Sequence, residues 1–188
     1  MAPPGTHVAI VTGANHGIGA ATARALAAEG PGVLVSYLRL EDAPDPAIPD
    51  AYRRHRASDG EPVAAAIREA GGRAIAVEAD LADAETPARL FDTAERELGP
   101  VDVLVNNATG WLADTFVPER RDLHDRAHAP VTAAGFDRQF AVDARGGALL
   151  IAEFARRHLA RGADWGRIVG LTSGGPEGFP DEVSYGAA

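Results

Sequence analysis

Five short runs of apolar, mostly β-branched residues recur along this chain, each separated from the next by an Ala-rich stretch that reads as helix. The runs are Val8 to Thr12, Val33 to Tyr37, Ala74 to Val77, Val101 to Asn106 and Arg167 to Thr172. They are too short and too continuously apolar to alternate one wet face with one dry face. Strands of this kind belong in a parallel sheet covered on both sides by helices. Right-handed crossovers then leave a doubly wound α/β arrangement as the expected topology. The intervening helices are expected over Gly17 to Glu29, Pro62 to Ala70, Thr86 to Leu98 and, as one long element, Thr132 to about Ala160. Gly30-Pro31-Gly32 stops the first of them.

Two stretches break the rhythm. Residues 41–60 carry Pro44, Pro46 and Pro49 and then the basic cluster Arg53, Arg54 and Arg56. Residues 110–130 are polar, with Arg120, Arg121, His124, Arg126 and His128. Both read as loop insertions in a single domain spanning residues 1–188, and the second is expected on the substrate side. His124 and His128 share a helical i, i+4 spacing, but no third ligand accompanies them, so no metal site is assigned.

The turn after the first strand narrows the function. Thr12-Gly13-Ala14-Asn15-His16-Gly17-Ile18-Gly19 joins that strand to its helix. Gly13 permits the tight turn, Gly17 lets the backbone approach a pyrophosphate, and Gly19 lets the helix pack closely on the sheet. The helix N-terminus offers free N–H groups and a positive dipole end to phosphate. This is a Rossmann-type dinucleotide site, with Gly13, Asn15, His16, Gly17, Ile18 and Gly19 as its phosphate-side residues. Composition excludes other classes. The net charge is −9 with no clustered basic surface, which argues against nucleic acid. There is no cysteine, so disulfides, thiol catalysis and Cys-metal sites are out, as expected of a cytoplasmic protein. No apolar run approaches the ~20 residues of a membrane span, and Met1 to His7 has no signal-like core.

The Gly-x-x-x-Gly-x-Gly spacing resembles the short-chain dehydrogenase/reductase family, and four further segments carry the same resemblance. Asn106-Asn107-Ala108 is similar to that family's Asn-Asn-Ala-Gly. Asp80-Leu81 follows the third strand, where the family sets an Asp beside the adenine. Arg167 to Ser173 resembles the strand that ends in the catalytic Ser. Ser184-Tyr185-Gly186-Ala187-Ala188 resembles the start of Tyr-x-x-x-Lys. The resemblance implies Tyr185 as acid/base, Ser173 (with Thr172 the alternative) as the carbonyl orienter, and Asp80, Leu81, Asn107 and Ala108 as cofactor neighbours. It implies an oxidoreductase interconverting a carbonyl and a secondary alcohol, a small-molecule substrate, and a homo-oligomer built on the long helix. A non-catalytic NAD(P)-binding or interaction protein of the same fold is the alternative.

The form of the cofactor is read at the end of the second strand. An acid there would hydrogen-bond the NAD ribose and repel a 2′-phosphate. Here the strand ends Ser36-Tyr37-Leu38-Arg39, and the planar fork of Arg39 suits phosphate. With His16 in the position of a base, NADP(H) is the expected cofactor and NAD(H) the alternative.

Three departures from the family pattern stand out. Asp143 replaces the helix Asn of the proton relay, with Arg145 the candidate to offset its charge. Thr109 replaces the Gly of Asn-Asn-Ala-Gly. The chain holds no Lys and ends at Ala188, one residue before the motif's Lys, so a parent continuing past Ala188 with the remaining C-terminal strands is the expectation.

Overall fold

A computed structural model of the chain describes residues 7–41, 44–45, 48–117, 121, 125–174, 178–179 and 181–188. Its elements run β1 (Val8–Val11), α1 (Gly17–Ala28), β2 (Gly32–Tyr37), α2 (Asp50–Arg56), α3 (Glu61–Glu69), β3 (Ala74–Glu78), α4 (Thr86–Glu97) and β4 (Val103–Asn106). They continue with β5 (Asp114–Thr115), β6 (Ala129–Pro130), α5 (Ala133–Phe140), a π-helical turn (Ala141–Gly146), α6 (Gly147–Ala160), β7 (Arg167–Gly170) and α7 (Val183–Ala187). The main sheet has the order β3-β2-β1-β4-β7, and every pairing in it is parallel. The expected doubly wound sheet is therefore what forms.

Why both faces must be covered is visible residue by residue. Ala9 and Val11 of β1, Val33 and Val35 of β2, and Val103 and Val105 of β4 point to one face, against α1 and α3. Val8 and Ile10, Leu34 and Leu104 point to the other, against α4 and α6. Successive side chains on a strand alternate sides, so a strand apolar at every position can bury itself only between two layers. The α1 layer is thin because the helix presents Gly19, Ala20, Ala23 and Ala27 to the sheet. The opposite layer is thick, built on Leu90, Phe91, Leu150 and Phe154.

Three elements differ from the sequence reading. Residues 41–60 contain the helix α2, which sits on the glycine turn instead of looping into solvent; Pro46 lies outside the described residues. The 110–130 stretch contributes the two-stranded parallel ladder β5–β6; Arg120 and His124 lie outside the described residues. The long helix runs without a gap from Ala133 to Ala160 but widens into the π-helical turn over Ala141–Gly146. Gly146 lies where that turn meets the chain after β3, and a Cβ there would come within 2.9 Å of the Leu81 carbonyl oxygen. Such single-turn widenings re-aim one side chain within a helix, and here the turn contains Asp143.

Among the described residues β7 pairs with β4 alone, and Ile168 and Val169 are nearly half exposed. Among the described residues no helix is long and apolar enough to cross a membrane, and no group of three or more His, Asp or Glu side chains could hold a metal ion.

Phe91 is fully buried, meets Phe154 edge-on at 6.4 Å between ring centroids and lies beneath the Arg157 guanidinium at 5.7 Å. Phe91→Ala is expected to cost about 3–5 kcal/mol of unfolding free energy in urea titrations, the range for emptying a closely packed aromatic site.

Candidate functional site

The C-terminal ends of β1 and β4 are stitched together by one threonine. Thr12 Oγ1 accepts from the backbone N–H groups of both Asn107 and Ala108 at 3.0 Å and donates to the Val105 carbonyl at 3.4 Å. Asn107 returns the bond: its Nδ2 donates to the carbonyls of Thr12 at 2.8 Å and Gly13 at 3.0 Å. Its amide nitrogen is thus spent on the glycine turn. Thr12 is missed by a reading that looks for glycines and charges; its β-branched shape disguises it as ordinary strand.

The three glycines of the turn sit in different surroundings. Gly13 has φ +62°, and a Cβ there would lie 2.8 Å from the Ala108 Cα. Gly19 packs so closely that a Cβ would collide with the Gly13 carbonyl oxygen and sit 2.6 Å from Asn107 Nδ2. Gly17 has φ +55° and faces open space, with nothing within 4 Å of where its Cβ would be. Two glycines therefore let the turn fold tightly, and the third leaves the helix N-terminus uncovered on the side where a phosphate would approach. The exposed Ile18 follows on the same cleft wall.

That opening leads into a cleft of about 1420 Å³. The cleft runs from the end of β2 (Ser36, Arg39), past the glycine turn and Asp80, to Asn107, Asp143, Ser173 and Tyr185. Every site residue named from the sequence borders it, at the carboxyl ends of the strands where open α/β sheets bind ligands. Asp80 also braces its own turn by accepting from the Ala82 N–H at 2.8 Å, and Leu81 beneath it is buried.

The wall over the glycine turn comes from α2. Asn15 Nδ2 donates to the Ser58 carbonyl at 2.9 Å, and the His16 ring stacks on His55 at 5.8 Å. Tyr52 meets His16 on one side and Trp111 on the other, at 5.9 and 5.3 Å between centroids. Burial, then His55 and Arg56, lowers the pKa of His16 below the ordinary histidine value.

The far wall holds Tyr185. Trp111 Nε1 donates to Glu182 at 2.9 Å, and Asp114 accepts the Ser184 N–H at 2.9 Å and the Ser184 hydroxyl. Ser184 and Asp114 are both buried, so α7 is pinned to β5 one residue from Tyr185, whose ring rests edge-on against Phe179. Pro176 and Pro180 lie outside the described residues. Asp114, Trp111 and Ser184 carry no sequence signal for this, because the partners are about 70 residues apart in the chain.

Asp143 is held on all sides. It accepts from the Thr109 hydroxyl, the Gly110 N–H and Gln139 Nε2, each at 2.7 Å. The two substitutions at Thr109 and Asp143 are thus one hydrogen-bonded unit. Arg145 does not offset the carboxylate; it donates to the Ala82 carbonyl at 2.5 Å. Burial raises the Asp143 pKa, and the three donors only partly oppose that rise.

Residues 51–188 match the family model described as short chain dehydrogenase. The chain is 36% identical over 184 residues to elsinochrome reductase 1 of Elsinoe fawcettii, an alignment covering 95% of this chain and 55% of that protein. It is also 36% identical over 182 residues to cis-4-hydroxycyclohexanecarboxylate dehydrogenase of Sinomonas cyclohexanicum, covering 96% and 61%. The crystal structure of a 3-oxoacyl (acyl-carrier-protein) reductase from Agrobacterium tumefaciens with NADP bound superposes with a TM-score of 0.71 at 26% identity, covering 96% of this chain and 58% of that one. The chain thus spans little more than half the length of the proteins it matches.

Two outcomes test the site. Thr12→Val leaves two buried N–H groups without their acceptor and is expected to cost about 1–3 kcal/mol and to weaken dinucleotide binding, while Thr12→Ser keeps both; thermal melts and fluorescence titration read the pair. An acid whose pKa is raised in the folded state keeps its proton longer when folded, so its stabilising share is present below the ordinary carboxylate range and is lost as pH rises through the raised value. Asp143→Asn is expected to remove that loss. Its new NH2 can donate to Gln139 Oε1, a buried acceptor without a hydrogen-bond partner among the described residues, once the Gln139 amide turns over. The variant's melting temperature should gain on the parent's as pH rises.

Proposed function

This chain belongs to the short-chain dehydrogenase/reductase family, and on that premise we propose that it serves an oxidoreductase moving a hydride between NADP(H) and a small carbonyl or secondary-alcohol substrate. The observation that carries the reading is the interlocked glycine turn, open at Gly17 and leading into a cleft that Ser173 and Tyr185 also border.

The residues present suit a nicotinamide dinucleotide. The uncovered N-terminus of α1 would take the pyrophosphate, Asp80 and Leu81 would flank the adenine, and Ala108 would border the nicotinamide end. The bound cofactor supplies or accepts the hydride. Tyr185 is the group to exchange the proton with the substrate oxygen, and Ser173 the group to orient that oxygen by hydrogen bonding. Asp143 takes a different role from a relay residue: its carboxylate is consumed by Thr109, Gly110 and Gln139, so it fixes the turn after β4. Preference for NADP(H) is supported by Arg39 on the cleft and by the lack of an acid within β2 itself. The match to an NADP-bound reductase supports it as well.

Titration of the chain with NADPH and NADH, followed by nicotinamide fluorescence, is the direct test, and tighter binding of NADPH is the expected result. Tyr185→Phe is expected to leave that binding intact and to lower turnover on a ketone panel by about 10²–10⁴-fold. Undiminished turnover would remove Tyr185 from the role.

A further inference from the structure

Arg39 does not stand alone at the end of β2. Its Nε lies 3.1 Å from each oxygen of Glu78, its outer nitrogen Nη2 lies 2.6 Å from Oε2, and its own backbone N–H donates to Oε1 at 3.2 Å. Glu78 reaches it because the parallel register sets Tyr37 of β2 beside Glu78 of β3, so the neighbouring strand carries the acid that β2 itself lacks. A second carboxylate approaches from the turn before α3: Asp59 Oδ2 is 3.9 Å from the remaining outer nitrogen, Nη1. Burial, then a hydrogen bond to Asp59, pushes the Tyr37 hydroxyl up to about 12, and the Glu61 backbone N–H, then Tyr37, lowers Asp59. One guanidinium therefore faces two carboxylates, and the local sum of charge is −1, not +1.

We infer that Glu78 is a specificity-determining residue: it tethers the Arg39 fork and offsets its charge, so that the site discriminates only weakly between a dinucleotide with a 2′-phosphate and one without. This rests on the cofactor reading above. The reasoning is electrostatic. A phosphate brought to Arg39 gains one cation and meets two anions a few ångströms further on, which cancels much of the attraction. The edge of Arg39 that suits bidentate phosphate binding, Nε with Nη2, is already occupied by Glu78. The pair is still weak enough to yield, because Arg39 is half exposed and Glu78 one-third exposed, and ion pairs at such positions contribute little. An acid on the adjacent strand thus does at one remove what an acid at the end of β2 would do directly.

The test is Glu78→Gln, which keeps an acceptor for Arg39 while removing the charge. Dissociation constants for NADPH and NADH are measured by fluorescence titration on the unaltered chain and on the variant, at one ionic strength. The ratio of NADH to NADPH dissociation constants is expected to rise by about five- to tenfold, the effect of cancelling one unit charge a few ångströms from the phosphate. Arg39→Ala in the same series is expected to move the ratio the other way. A ratio unchanged in Glu78→Gln, or one that falls because NADPH binding weakens, overturns the specificity role while leaving the cofactor reading standing. Failure of the unaltered chain to bind either dinucleotide overturns both.

Discussion

The reciprocal bonding of Thr12 and Asn107 is the constraint on which the cleft depends. β1 and β4 are neighbours in the sheet, yet the chain leaves them toward opposite edges, so a gap opens between their carboxyl ends. One hydroxyl and one carboxamide close the base of that gap. Thr12 satisfies two backbone N–H groups after β4, and Asn107 satisfies two carbonyls after β1. Neither loop could keep its shape alone, since each would leave polar backbone groups without partners in a poorly solvated place. The glycine turn is therefore braced by the loop after β4 as well as by its own backbone.

Packing around this seam explains the choice of residues on α1. A helix bearing Leu or Ile at positions 20, 23 and 27 would stand too far from the sheet for its N-terminus to lie beside the turn. Small residues bring it close on one side, and the bulk of the core is shifted to the α4–α6 side, where Phe91 and Phe154 fill the space. The two layers are unequal because only one of them must present a helix end to the cleft.

The walls follow a different logic. Tyr52, Trp111 and Glu182 form a chain of contacts from α2 across to α7, and the buried Asp114–Ser184 pair anchors that helix. Thr109 and Asp143, which look in the sequence like two independent losses, exchange a hydrogen bond and stabilise the same turn. Reading them separately suggests a damaged site; together they are a substituted brace.

Local residue patterns were enough for the layers, the parallel sheet, the strand boundaries to within two residues at most ends, and the glycine turn. These rest on local rules: side-chain alternation, helix stops and the φ that only glycine adopts easily. The sequence also marked the motif glycines, Asn107, Ser173 and Tyr185 on the cleft wall, though not Thr12. How those groups are partnered emerges only once distant segments are folded together. Arg39 reads as a free phosphate ligand until β3 brings Glu78 beside it. His16 reads as a basic residue of the cofactor site, and burial under α2, then His55, lowers its pKa. Asp143 reads as a relay residue until the π-helical turn aims it at Thr109. Charge and hydrogen-bonding capacity belong to the residue, but whether they remain available to a ligand depends on neighbours that the chain supplies from tens of positions away.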